Sequence, residues 1–189
     1  MIVRKNAAHL SGWRKVSGRN LHRMFNFNIL HLLTVAAALG AALALRREVT
    51  GRSLTPGRLF LAPGLALTAA VLLLATTPPP LRHPNLWLAA LAVGLVAGSA
   101  RGLMAPLQVD RLWDRLRLPA GRDGVWVGYA LALVTLVVLS LDAAGIALSA
   151  WPDLAGNLLA ATSAGFLGGR AGSLWLRSLS APHDTWRTL

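Results

Sequence analysis

Five long apolar runs restrict the folds open to this chain more than any other feature. They cover approximately residues 27–45, 59–77, 86–107, 125–148 and 154–176. A helix of about 20 mostly apolar residues crosses the roughly 30 Å hydrocarbon layer of a membrane. Backbone N–H and C=O groups in lipid must be satisfied internally, and Ala- and Leu-rich runs without alternation favour helices over strands. The sequence therefore predicts an all-α integral membrane bundle of five transmembrane helices.

The composition agrees with a membrane protein and excludes several classes of site. Only 14% of the residues are charged, compared with roughly 25% in an average soluble domain. The chain has no cysteine, which excludes disulfides, thiolate metal sites and iron–sulfur clusters. A net charge of +12 would suggest nucleic acid for a soluble protein, but membrane proteins concentrate such charge in cytoplasmic loops. We therefore expect the lipid bilayer as partner, and no nucleic acid.

Arginines are distributed unequally between the predicted loops, and this asymmetry predicts an orientation. The segments after helices one, three and five carry 12 arginines, whereas the other two loops carry one, Arg82. Because cytoplasmic segments are enriched in Arg and Lys, we expect the arginine-rich side and the C-terminus to lie in the cytoplasm. Lys5 and Lys15 are the only lysines. We interpret this preference for arginine as the mark of a GC-rich bacterium, which makes the inner membrane the expected location.

Residues 1–23 form a basic N-terminal extension that conflicts with this orientation. The extension has six arginines and lysines and no acid, yet five helices with a cytoplasmic C-terminus place it outside. Three explanations remain open: the first helix does not span, the extension is translocated, or the native chain starts at Met24. We favour a start at Met24, which leaves a short uncharged head before a bundle formed by residues 24–189.

The loop between helices three and four is predicted to form an amphipathic helix. Its apolar side chains recur at helical spacing, at Val109, Leu112, Trp113 and Leu116. Such a helix lies in the headgroup layer, with an aromatic anchor and arginines directed towards anionic lipids. The residues expected to contact headgroups are Arg111, Trp113, Arg115 and Arg117. The alternatives are a connector resting on the bundle, a protein-docking segment, and a short hairpin through Leu116 to Pro119.

Glycines recur at four-residue spacing in two of the predicted helices. Those in helix three are Gly94, Gly98 and Gly102, and those in helix five are Gly165, Gly168, Gly169 and Gly172. Small residues at this spacing let helices approach closely, which favours association in lipid. The pattern predicts helix packing within one chain, with a homo-oligomer or a membrane-complex partner as the alternative.

A few polar residues inside the predicted spans form a possible polar site: His31, Asp142, Asn157 and Arg101. Polar groups are costly in lipid, so they often mark a function. A His31–Asp142 pair can relay a proton or bind a cation, and the alternative is that both residues meet water near the membrane surface. Arg101 and Arg170 lie near predicted helix ends, from which their guanidinium groups can extend to the headgroups.

Motifs for catalysis, metal binding and nucleotide binding are absent from the sequence, so we expect no catalytic residue, no metal and no cofactor. Haem is disfavoured because His83 lies in a proline-flanked loop rather than on a helix facing His31. These observations favour a non-enzymatic membrane protein, either an accessory or assembly subunit or a helical bundle of unassigned role. The alternative is a small transporter or channel component with a polar path near His31, Asp142 and Asn157.

The order of several short motifs between residues 46 and 150 resembles a known family. The motifs are Arg47-Glu-Val-Thr-Gly-Arg-Ser-Leu, Arg58-Leu-Phe-Leu-Ala-Pro, Gly94 and Gly98 followed by Arg101-Gly102, Val109-Asp110-Arg111, and Leu118-Pro119. This arrangement is similar to the CcdC-like proteins, small and uncharacterised multi-span membrane proteins of bacteria. The resemblance implies short helices, a basic first loop and membrane location, without an established activity.

Overall fold

A computed structural model describes residues 28–49, 55–110, 115–117, 122–144 and 150–180. The helices are α1 (Ile29–Val49), α2 (Leu61–Thr76), α3 (Pro84–Met104), α4 (Asp123–Ala143) and α5 (Ala150–Ser180). Two 3-10 helices span Pro56–Phe60 and Pro79–Leu81, and two strands are β1 (Gln108–Asp110) and β2 (Arg115–Arg117). The prediction of an all-α bundle is confirmed. The N-terminal extension and Met24 lie outside the described residues.

Four of the five helices in the described part of the chain are long and apolar enough to cross a membrane, which fits a membrane protein. They are Ile29–Arg46, Gly57–Thr76, Pro84–Met104 and Asp123–Ala143. The fifth predicted span forms a helix, but α5 does not belong to this group. Glycines and polar residues such as Asn157 and Arg170 make it less apolar than the others. By length and composition, the prediction of five spans is therefore supported for four.

Prolines set two of the helix boundaries. Helix α2 ends at Thr76, two residues before Pro78, since proline lacks the N–H that would continue the helix and clashes with the preceding turn. Helix α3 begins with Pro84, at a position where the missing donor costs little. The connection between the two helices is therefore short.

Four helices form a ring, and α3 packs outside it. Helix α1 contacts α2 and α4, α5 contacts α2 and α4, and α3 contacts chiefly α5. The interior of the ring consists mainly of small and branched apolar side chains, among them Ala41, Ala66, Ala69, Leu131 and Ala161. Small side chains bring helix backbones close together, and van der Waals packing then stabilises the bundle in lipid. Helix α5 is the central element because it contacts three of the other helices.

The bundle has two chemically different ends. The start of α1 meets the end of α4 through His31 and Asp142, and the end of α2 meets α5 through Thr77 and Asn157. We name this the His31 end. At the opposite, basic end the described arginines include Arg46, Arg58, Arg101, Arg122, Arg170 and Arg177. At the His31 end the arginine within the described ranges is Arg82.

The prediction of an amphipathic helix between α3 and α4 is wrong for the described residues of this loop, which form two strands. Strands β1 and β2 pair antiparallel, with Val109 opposite Leu116. Both side chains are buried with Leu59, Ala171 and Leu174 at the basic end. The seven-residue separation of Val109 and Leu116 suits one helix face, but it also suits one face of a hairpin, because paired residues share a face.

The hairpin alternative is therefore the correct one, although its strands start earlier than predicted. Arg115 and Arg117 lie on β2 rather than on a helix. Arg111 and Trp113 lie outside the described residues, so their predicted contacts with headgroups stay predictions.

Candidate functional site

Polar side chains from four helix ends gather at the His31 end, and we name this group the His31 cluster. Its members are His31, Thr77, Asp142, Asp153 and Asn157. They come from the starts of α1 and α5, the end of α4, and the residue directly after α2. These ends lie together because neighbouring helices in the ring are antiparallel, so the start of one helix is beside the end of the next.

His31 links α1 to α4. Its Nε2 atom lies 3.1 Å from Oδ2 of Asp142, and its Nδ1 atom accepts a hydrogen bond from the backbone N–H of Asn28 at 3.2 Å. A ring nitrogen that accepts this bond carries no proton, so the proton of the neutral imidazole is on Nε2, which donates to Asp142. His31 is buried, whereas the side chain of Asp142 is 62% exposed. The pair thus joins an interior group to a surface carboxylate.

Asn157 links α5 to the end of α2. Its Nδ2 atom donates to Thr77 Oγ1 at 2.8 Å and to the backbone oxygen of Asp153 at 2.9 Å. Its Oδ1 atom is buried and has no hydrogen-bond partner within the described part of the chain. Thr77 in turn donates to the backbone oxygen of Leu73. These hydrogen bonds connect Asn157, near the start of α5, to Thr77 and through Thr77 to the last turn of α2.

Asp153 interacts with both parts of the His31 cluster: its backbone oxygen accepts a hydrogen bond from Asn157, and its carboxyl is near that of Asp142. Burial raises the pKa of its carboxyl above the ordinary value, and the nearby negative charge of Asp142 raises that pKa further. Both causes disfavour a second negative charge at this end. Three His, Asp or Glu side chains in an arrangement that could hold a metal ion are not found among the described residues.

The four residues of the predicted polar site do not form one site. His31 and Asp142 meet, and Asn157 lies at the same end but bonds to Thr77. Arg101 is at the basic end, where its Nε donates to Asp123 Oδ2 at 2.6 Å. The Arg101 side chain is half exposed, and its predicted position near the headgroups stays a prediction.

The ring between the two ends is apolar in the described residues. Its buried hydroxyls, Thr34 and Thr135, donate to backbone oxygens four residues earlier in their own helices. The rest of the buried ring interior is mostly Ala and Leu. A continuous polar path from His31 to Arg101 is therefore not seen within the described ranges.

The predicted glycine packing joins α3 to α5. A Cβ atom on Gly94, Gly98, Gly165 or Gly169 would overlap backbone atoms of the other helix, and one on Gly102 would overlap the side-chain oxygen of Ser173. The contacts advance together along both helices, from Gly94 near Thr162 to Gly102 near Arg170, so α3 and α5 run parallel. Packing within one chain is the role these glycines have.

Gly168 and Gly172 differ from the other predicted packing glycines. A Cβ atom added to either would meet no atom of the described residues within 4 Å. Both are partly buried residues of α5, and they are four residues apart. They do not take part in the contact between α3 and α5.

Arg170 lies in the interior rather than at the headgroups, contrary to the prediction. It is 8% exposed, and its Nη1 atom lies 2.7 Å from the position that a Cβ of Gly124 would occupy. Because Gly124 has no side chain, the guanidinium fits between α5 and the start of α4. The arginine also lines a cleft with Leu45, Leu59, Pro63, Leu167, Ala171 and Leu174.

Sequence reasoning missed two residues that fix helix positions at the basic end. The Nη1 atom of Arg177 donates to the backbone oxygens of Gly102 at 2.9 Å and Ala105 at 2.5 Å, and so caps the end of α3. Gly128 leaves room for the side chain of Leu45 between α1 and α4. A basic residue near a helix end, such as Arg177, is a recognisable capping signal in the sequence. The sequence does not show that the helix it caps is α3.

Comparisons with known proteins give no relative for this chain. No family model matches it, and no curated protein or solved structure matches it either. The resemblance to the CcdC-like proteins therefore stays a prediction.

Proposed function

We propose that this chain is a non-enzymatic integral protein of a bacterial inner membrane that serves as an accessory or assembly subunit. In this proposal its basic end and C-terminus lie in the cytoplasm and contact anionic headgroups. The observation that carries it is the sorting of charged groups to the two ends of a bundle whose described interior, between those ends, is mostly Ala and Leu. A bundle of this kind is suited to positioning other membrane components rather than to chemistry.

The orientation is supported by the arginines of the basic end. Exposed arginines there include Arg46, Arg58 and Arg122, and Arg82 is the described arginine at the His31 end. Arginine-rich ends remain in the cytoplasm during insertion. Anionic lipids of the cytoplasmic leaflet attract such groups.

The non-enzymatic assignment is supported by the way in which the polar groups are used. His31 pairs with Asp142, Arg101 with Asp123, and Asn157 with Thr77. Each pair joins two different helices, so a structural role accounts for it. A transporter or channel remains the alternative hypothesis, but a polar path that would favour it is not seen among the described residues.

A role as a subunit is supported by unused packing surface on α5. Gly168 and Gly172 present a small-residue face that no described residue covers, which is the type of surface that close helix association requires. A partner helix or a second copy of the chain are the occupants in this proposal.

Cysteine labelling in intact cells tests the orientation and the crossing of α5. The chain has no cysteine, so single substitutions give a clean background. We expect His83→Cys and Trp151→Cys to react with a membrane-impermeant maleimide, and Thr55→Cys and Ser180→Cys to react only after lysis. All four positions are exposed in the fold, so exposure is matched. Equal labelling of Trp151→Cys and Ser180→Cys would show that α5 does not cross.

Purification in mild detergent tests the subunit role. We expect a stable species larger than the monomer, and a bulky Gly168→Leu or Gly172→Leu substitution should reduce it to monomer without unfolding the bundle. A strictly monomeric wild-type protein without a stoichiometric partner would contradict the subunit proposal and leave only a stand-alone bundle.

A further inference from the structure

The side chain of Asn157 has one buried oxygen that the described residues leave without a hydrogen bond. Both hydrogens of its amide are used, because Nδ2 donates to Thr77 Oγ1 and to the backbone oxygen of Asp153. A backbone oxygen accepts only from a group that carries hydrogen, so the bond to Asp153 fixes the orientation of the amide. The hydroxyl of Thr77 already donates to the backbone oxygen of Leu73. Oδ1 of Asn157 is therefore an acceptor that requires a donor from elsewhere.

Trp87 on α3 has the complementary group. Its indole Nε1–H acts as a donor only, and it is buried without a hydrogen-bond partner in the described ranges. Both side chains are more than nine-tenths buried, since Trp87 is 8% exposed and Asn157 is 4% exposed. Buried polar atoms rarely stay unpaired, because nothing then replaces their hydrogen bonds to water. One donor and one acceptor at the same end of the bundle thus require partners.

The parallel register of α3 and α5 places these two side chains at the same level. Gly165 lies against the backbone oxygen of Leu91. One turn earlier in both helices, the same register sets Trp87 beside Ala161, which is fully buried. Side chains of a helix lean towards its start, so the indole extends towards the turn of α5 that holds Asn157. The donor and the acceptor therefore converge between α3 and α5 near the starts of both helices.

We propose that this position is a binding site for a single water molecule, which accepts a hydrogen bond from Trp87 Nε1 and donates one to Asn157 Oδ1. The ligand must both accept and donate, and water is the smallest molecule that does so. Buried waters bond two to four polar groups that otherwise lack partners, and a bridging water is nearly as favourable as a direct bond. Through Asn157 and Thr77, the water links the start of α3 to α5 and α2. This inference does not depend on the proposed function.

Nuclear magnetic resonance of the full chain in lipid nanodiscs, with isotope-labelled tryptophan, tests the bridge. Trp87→Phe identifies the indole signal of Trp87 by its loss. In the wild type we expect rotating-frame cross-relaxation between this indole proton and water, with the sign opposite to that of chemical exchange. The indole proton itself should exchange with solvent more slowly than that of Trp151, by about tenfold or more, because Trp151 is 77% exposed.

Two variants of α5 assign the water to its acceptor. Asn157→Leu removes Oδ1 at similar volume, so the cross-relaxation at Trp87 should be lost. Thr162→Val is the matched control on the same helix, because Thr162 Oγ1 donates to the backbone oxygen of Leu158 in that helix, and it should retain the wild-type signal. An unchanged backbone amide signal of Gly94, which lies against α5, shows that each variant keeps the contact between the two helices.

Several results would overturn the proposal. Absence of water cross-relaxation at Trp87 in the wild type is one, and it needs no variant to be measured. A direct contact of the indole proton with the Asn157 side chain in place of water would show that the two groups bond to each other. Exchange at Trp87 as fast as at Trp151 would show a site open to bulk water. Cross-relaxation that persists in Asn157→Leu would assign the water to another acceptor.

Discussion

Single side chains from one helix fix the end of another in this bundle. His31 holds α1 to α4, Asn157 holds α5 to the residue after α2, and Arg177 of α5 caps α3. Each acts where backbone groups lack partners within their own helix or where two ends must stay in register. The sequence identified His31 and Asp142 as candidates for one pair, but the partners of Asn157 and Arg177 depend on which helix ends meet, and hydropathy does not determine that.

Arg177→Ala should destabilise the protein because it removes two charge-assisted hydrogen bonds from the end of α3. We expect a loss of about 2 kcal/mol in the free energy of unfolding, measured by thermal or denaturant unfolding in mild detergent. Arg177→Lys keeps the charge and should recover part of this. Arg58→Ala is the matched control at an exposed position of the same end, with an expected change within about 0.5 kcal/mol. Equal effects of the two alanine variants would show that the cap contributes nothing.

At the scale of elements, residue spacing predicted that helices pack together, but it did not identify which residues make the contacts. Four-residue spacing of glycines correctly predicted helix packing in α3 and α5, since a backbone contact requires small residues on both helices. It could not separate Gly169, which contacts α3, from its neighbour Gly168, at which a Cβ would meet none of the described residues. Spacing also failed for the α3–α4 loop, because the same apolar positions fit a helix face and a hairpin face. Burial of Val109 and Leu116 against the bundle decides for the hairpin.

Neighbouring glycines of α5 should respond in opposite ways to the same substitution. Gly169→Ala places a methyl group against the backbone oxygen of Leu95, so α3 must move away, at a cost of about 1–3 kcal/mol. Gly168→Ala meets no atom and improves helix propensity, with a gain of up to about 1 kcal/mol. Unfolding of both variants in the same detergent checks this. If Gly168→Ala is the more destabilised variant, the face assigned to α3 is wrong.

At the scale of the whole molecule, the apolar runs and the uneven arginine distribution predicted an all-α bundle with one basic end. The sequence did not predict that α3 lies outside a ring of the other four helices, because all of the runs look alike in hydropathy. It also predicted α5 as an apolar span like the others, whereas α5 is the least apolar of the five helices and holds Asn157 and Arg170 in the interior. Long-range contacts, rather than local composition, determine the position of α3.

The basic end should make the stability of the whole bundle depend on lipid charge. We expect wild-type protein to unfold at a higher temperature in vesicles of mixed phosphatidylglycerol and phosphatidylcholine than in phosphatidylcholine alone. A variant with Gln at Arg46, Arg58 and Arg122 should lose most of this gain, because each arginine near an anionic surface contributes about 1 kcal/mol. Phosphatidylcholine vesicles are the control, in which wild type and variant should unfold together. The same gain in both proteins would contradict the headgroup contact.

The parallel contact between α3 and α5 has a consequence for the order of events during synthesis. The ribosome completes α3 before α4 and α5 exist, and its glycine face fits a helix that emerges last of the five. Nascent α3 therefore waits in the bilayer without its neighbour, while α1 and α2 are already able to associate. Among the described helices, we therefore expect the arrival of α5 to be the step that brings α3 onto the bundle.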